Sequence, residues 1–123
     1  MYQLAITRDF VAQHFLIGGD WGAENVKHSH AYRVEVLLHG ATLNQHGYLV
    51  DILELESALS EIIARFRDRT LNELAAFSAL NPSLERFAQV FHQDLVERMP
   101  LDHLSLTVKL WENERDWAAY GRS

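Results

Sequence analysis

With 123 residues, 48% of them hydrophobic and 23% charged, the chain can hold one domain (1–123) with an apolar core and is short for two. It contains no cysteine, which excludes disulfide frameworks, thiolate metal sites and thiol nucleophiles and is consistent with a reducing compartment. Eleven Lys and Arg against 17 Asp and Glu leave a formal charge of -6, without the broad basic footprint of a nucleic-acid binder. No apolar run approaches the roughly 20 residues of a bilayer crossing. Met1 to Asp9 also lacks the basic start and apolar block of a secretion signal, so the expected setting is soluble and cytoplasmic, with no membrane partner.

Tyr2, Leu4 and Ile6 alternate with polar or small residues, and Phe10, Ala12, His14 and Leu16 continue the alternation beyond Arg8-Asp9, which predicts a strand with one buried face. Gly18 and Gly19 end it. After a loop to about Lys27, His28 to His39 alternates again, with Tyr32, Val34, Val36 and Leu38 on one face and Arg33 and Glu35 on the other. Asn44 to Gly47 reads as a turn, followed by a short extension over Tyr48 to Val50. Asp51 is placed to cap a helix, with Glu54 completing a capping box. Ile52, Leu55, Leu59, Ile62, Ile63 and Phe66 then follow helical spacing. A second helix carries Leu84, Phe87, Ala88, Phe91 and Leu95; Asn81-Pro82-Ser83 opens it and Met99-Pro100 stops it. Leu104 to Leu110 alternates as a last strand. The order strand, strand, helix, helix, strand predicts an α+β domain with two helices on one face of a mostly antiparallel sheet.

Seven histidines are present. His28 and His30 flank Ser29 at a strand start, so both rings project from one face with backbones about 7 Å apart and can converge on one ion. Nitrogen-bound zinc needs a third protein ligand and, in catalytic sites, leaves a fourth position for water or substrate. His14 is the best third candidate, because pairing of the first two strands brings its face beside the other two rings. His39, His46, His92 and His103 have no visible partner and read as exposed or capping histidines. Gly22, His28-Ser29-His30 and Glu35 also approximate the metal motif of cupins, a metal-oxygenase alternative. An unbroken strand from His30, however, turns Glu35 away from both histidines, and the helical stripes oppose an all-β fold.

In order along the chain, these elements resemble the 6-pyruvoyl-tetrahydropterin synthase and 6-carboxytetrahydropterin synthase family. Phe10-Val11-Ala12-Gln13-His14 matches its F-x-A-x-H, and His28-Ser29-His30 its H-G-H with serine for glycine. Gly47-Tyr48-Leu49-Val50-Asp51 resembles the turn and Asp before its first helix, and Leu71-Asn72 the L-N after it. Asn81-Pro82-Ser83-Leu84-Glu85 is similar to its P-T-x-E. Glu112, with Ala118, Ala119 and Tyr120 beyond it, resembles the C-terminal E-T…A-x-Y segment. The likeness spans essentially the whole chain.

The resemblance implies a tunnelling fold, with a four-stranded antiparallel sheet and two helices, assembled as a homotrimer or homohexamer. It implies a lyase in which Zn2+ on His14, His28 and His30 holds a pterin side chain. Glu112 would hold the pterin ring through two parallel hydrogen bonds, and Ser83 matches a ring-binding threonine. Two departures stand out. The family's catalytic cysteine falls on Glu24, and the Asp-His pair of L-D-H-x-x-L-N reads Arg67-Asp68, with Asp68 at the histidine position. Glu24 and Asp68 are therefore the acid–base candidates. The expected reaction is on 7,8-dihydroneopterin triphosphate or a related pterin, with cleavage of its side chain to 6-hydroxymethyl-dihydropterin, as in a glutamate-bearing branch this chain resembles. The alternative is a homologue that binds zinc and pterin without turnover.

Overall fold

The computed structural model describes residues 1–122. Its first two strands, β1 (Tyr2–His14) and β2 (His28–Gly40), form a long antiparallel ladder from Tyr2 opposite Gly40 to His14 opposite His28. Arg8 stays in phase with the inward residues Ile6 and Phe10 and reaches Glu56 on the first helix at 3.4 Å, so its charge does not interrupt the strand. The strand ends at His14 rather than running to Leu16, because the backbone there turns to meet side chains of other segments.

The turn over Asn44 to Gly47 forms as expected. Asn44 Oδ1 accepts the N–H groups of His46 and Tyr48, and Gly47 takes a φ of +83°, a conformation that disfavours any side chain. The short extension expected over Tyr48 to Val50 is a bend without strand pairing. Helix α1 (Ile52–Phe66) is capped by Asp51, whose carboxylate accepts the Leu53 N–H at 3.0 Å. Helix α2 (Leu84–Arg98) is capped by Ser83 through the Arg86 N–H and ends before Pro100.

Strand β3 (Ser105–Trp111) pairs with β2, and β4 (Trp117–Arg122) pairs with β3, giving one four-stranded antiparallel sheet in the order β1-β2-β3-β4. The resemblance implied this fourth strand; hydrophobic alternation did not reveal it. Trp117, Ala119, Tyr120 and Gly121 are all exposed, so the segment carries no period-two burial signal.

Both helices lie on one face. Leu55, Leu59, Ile62, Ile63 and Phe66 of α1, and Phe87, Phe91 and Leu95 of α2, pack on Phe10, Tyr32, Val34, Val36, Leu106 and Val108 of the sheet. Phe10, Tyr32, Phe66, Phe87 and Phe91 make a connected aromatic cluster with centroid separations of 5.1 to 6.1 Å. This packing ends at the histidine end of β1 and β2, where Tyr32 is its last aromatic layer. Glu35 lies on the opposite sheet face with Lys109 3.7 Å away, and with two 15-residue helices in the fold the cupin alternative is excluded. No helix of the described residues is long and apolar enough to cross a membrane.

Candidate active site

The β1–β2 register sets His14 opposite His28 and Ala12 opposite His30, which brings three imidazoles to one end of the inner sheet face. Their ring centroids lie 4.6, 4.9 and 4.8 Å apart, edge to face. Sequence periodicity thus anticipated their meeting. The Glu24 carboxylate joins them: among the described residues, ligand atoms of His14, Glu24, His28 and His30 all lie within 4.8 Å of one another.

Backbone carbonyls decide which nitrogen of His14 and of His28 is free. His14 Nδ1 lies 3.1 Å from the Pro82 carbonyl, and His28 Nδ1 lies 2.7 Å from that of Val26. A carbonyl oxygen can only accept, so Nδ1 carries hydrogen in both rings and Nε2 of the neutral ring presents a lone pair. His14 Nε2 is buried and has no hydrogen-bond partner. Burial pushes the His14 pKa down; the neighbouring His30 and His28 act in the same direction, while the Pro82 contact and Glu24 oppose them. A neutral, buried imidazole with an orphaned lone pair and a second-partner hydrogen bond on its other nitrogen is the form in which histidine binds metals. Tetrahedral ligand atoms roughly 2.0 to 2.1 Å from an ion sit about 3.3 Å from one another. His28 Nε2 is 3.1 Å from His30 Nε2 and 2.8 Å from Glu24 Oε2, close to that spacing. The residues present therefore fit a small divalent ion.

Three asparagines hold the segment that follows His14. Asn72 binds Phe15 twice, accepting its N–H at 3.0 Å and donating to its carbonyl at 2.9 Å. Asn81 accepts the Ile17 N–H at 3.0 Å. Asn25 donates to the carbonyls of Leu16 and Gly19 and accepts the Trp21 N–H. Sequence reasoning assigned none of these roles. Asn72 stood out only as part of a family-like motif and Asn81 only there and at the opening of the second helix, and a side chain that serves distant backbone groups leaves no periodic trace.

The remaining candidates fall at different distances from this centre. Ser83 is half-buried beside Pro82, whose carbonyl holds His14, and its hydroxyl serves as the helix cap. Glu112 is half-buried just beyond β3 and lines an open groove of about 700 Å³ with Tyr32, Arg33, Trp111 and Asp9. Tyr32 connects the two regions: its hydroxyl lies 3.4 Å from His14 Nδ1, and its pKa is pushed up by burial first and then by the negative charges of Glu112 and Glu24. Asp68 is exposed at the left-handed turn after α1, with a φ of 59°, and stands outside the group of converging ligands. His92 corrects the expectation of an exposed histidine. It is 5% exposed, because β4 covers that side of α2 and Tyr120 packs edge-on against it at 4.9 Å.

Comparison with solved structures finds the same fold in three pterin synthases. The 6-pyruvoyl tetrahydropterin synthase of Caenorhabditis elegans superposes with a TM-score of 0.90 at 21% identity, covering 99% of this chain and 96% of that one. The Plasmodium falciparum synthase gives 0.81 at 15% identity, with 98% and 97% covered. The Plasmodium vivax synthase gives 0.79 at 16% identity with the same coverage, 98% and 97%. Comparison with curated protein sequences finds no match. The family model for 6-pyruvoyl tetrahydropterin synthase matches residues 3–123, so with its histidine cluster and its four-stranded sheet the chain belongs to that family.

Proposed function

We propose that the protein is a zinc-dependent pterin lyase that acts on 7,8-dihydroneopterin triphosphate or a close relative and cleaves its side chain to 6-hydroxymethyl-dihydropterin. The observation that carries this reading is the convergence of His14, His28 and His30 with Glu24, in a chain of this family that has no cysteine. His14, His28 and His30 would hold the metal. When bound, zinc supplies Lewis acidity that polarises the substrate's side-chain hydroxyls and eases loss of their protons.

The chain's own groups do the rest. Glu112 receives the pterin amino group and the adjacent ring N–H on its two oxygens, with Ser83 near the ring. Glu24 removes the proton from the hydroxyl on the second side-chain carbon. That carbon becomes a carbonyl as the bond to the first carbon breaks, and the electron pair moves into the pterin ring. A proton returned to the first carbon completes the hydroxymethyl product, and the aldehyde fragment leaves with the phosphates. Asp68 is the second acid–base candidate of this reading, and the protein works as a trimer or hexamer in the cytoplasm.

A second reading, zinc and pterin binding without turnover, is favoured by the exposed position of Asp68 and the loss of the cysteine. Mass spectrometry of products from zinc-loaded protein and dihydroneopterin triphosphate separates the two. The expected product is 6-hydroxymethyl-dihydropterin, abolished in Glu24→Ala. Efficient formation of 6-pyruvoyl- or 6-carboxytetrahydropterin overturns the cleavage reading, and ligand binding without any product supports the second.

A further inference from the structure

The loop that carries Glu24 is fixed at several points. The Leu16 N–H donates to the Glu24 carbonyl at 2.8 Å, and the Asn25 amide bonds the backbone at Leu16, Gly19 and Trp21. The Trp21 ring lies so close over Gly19 that a Cβ there would come within 2.7 Å of it. A loop held this way fixes the backbone that carries Glu24, whose carboxylate is half-exposed beside His28.

Where it is placed is electrostatically unusual. With the His28 Nδ1 hydrogen committed to Val26, Nε2 of the neutral ring is electron-rich, and Glu24 Oε2 lies 2.8 Å from it while His30 Nε2 lies 3.1 Å from it. A carboxylate oxygen and a neutral imidazole lone pair at 2.8 Å repel unless a cation lies between them. A proton on His28 satisfies its immediate neighbours but leaves the buried His14 Nε2 without a partner. A metal ion satisfies all four.

We propose that Glu24 is the fourth ligand of the metal in the resting site, so that the centre is closed by three histidines and one carboxylate until substrate arrives. This rests on the zinc reading given above and deepens it. A four-ligand site has no open position, which in zinc proteins distinguishes closed centres from those poised for catalysis. A substrate hydroxyl must therefore displace Glu24, and the displaced carboxylate is left beside the hydroxyl whose proton it takes. Substrate entry and release of the base become one event.

The test uses the full-length protein, wild type and the Glu24→Gln and Glu24→Ala variants, with circular dichroism to confirm that each folds. Zinc affinity is measured by competition with a chelator. Separately, cobalt-loaded protein is titrated with imidazole, a neutral ligand for an open position, and followed by its visible spectrum. Both variants are expected to bind zinc about tenfold or more weakly, since even loss of an outer partner costs about 10- to 100-fold in affinity. Both are also expected to respond to imidazole at about one tenth of the wild-type concentration or less. Unchanged zinc affinity overturns the proposal. So does weaker affinity with an unchanged imidazole response, which would mean that Glu24 acts only through its charge or as an ion pair with protonated His28. If wild-type protein takes up neither zinc nor cobalt, the three-histidine reading itself falls, and this proposal with it.

Discussion

Glu112 offers the sharpest test of a single residue, because it is separated from the histidine cluster by Tyr32 and yet lines the same end of the sheet. Replacing it by glutamine keeps its size while turning an anion with two acceptors into a neutral group with one acceptor and one donor. A charge-assisted hydrogen bond contributes roughly 1.5 to 3 kcal/mol, so Glu112→Gln is expected to weaken pterin binding about 10- to 100-fold while zinc content stays the same. Calorimetric titration of the variant with a pterin checks it, and binding equal to wild type removes Glu112 from the site. The chemistry at this scale was unevenly legible in the sequence. Histidines two apart on a strand must share a face, so His28 and His30 announce themselves, and His14 follows once β1 and β2 pair. Glu24 was visible only as the residue standing where a cysteine was expected. Its contact with His28 depends on a loop whose hydrogen bonds have no pattern to read.

Between elements, the informative contact is that of α2 with β4. His92 projects from α2 under the edge strand, packed on Tyr120, and its Nε2 has no hydrogen-bond partner. Burial first, and the Arg122 charge second, hold its pKa below the ordinary 6.5, with the Leu106 carbonyl opposing them. The unfolded chain therefore takes up a proton at a pH where the folded chain does not. The stability associated with a neutral His92 is present in full above the unfolded value and is lost as pH falls below it toward the folded one. Wild type is accordingly expected to lose more thermal stability between pH 7.5 and pH 5 than His92→Gln does, in scans at equal metal content. Parallel losses in the two proteins would show that His92 is not the group being charged. The misreading of His92 and the failure of alternation to reveal β4 have one cause. An edge strand with a mostly exposed surface leaves no hydrophobic alternation, and without β4 nothing covers that side of α2. The two helices were read readily, since each buries a continuous stripe.

At the scale of the whole molecule, the sheet ends in two open edges, β1 and β4. The β1 edge is only partly open. The Asp68 N–H donates to the Val11 carbonyl at 2.7 Å, the Gln13 N–H donates to the Arg69 carbonyl at 2.9 Å, and Gln13 bridges Thr70 in parallel. By the alternation of the ladder, Gln3, Ala5, Thr7 and Asp9 then point their backbone groups outward. On that stretch, the Arg8 guanidinium binds the Thr7 carbonyl at 2.7 Å. Open edges recruit strands from other copies, and the expected state is three or six chains. Sedimentation at micromolar concentration checks this; a monomer there would refute it, and the same measurement on Glu112→Gln separates lost binding from lost assembly. The segment from Asp68 to Thr70 also acts as a ruler. An incoming strand can slide along the outward groups of β1 only until it meets this stop, and the open length is close to that of the six-residue β4. A slip of one residue turns every side chain of the newcomer to the other face. A fixed stop therefore limits the registers open to a neighbouring copy's strand to those along Gln3 to Asp9.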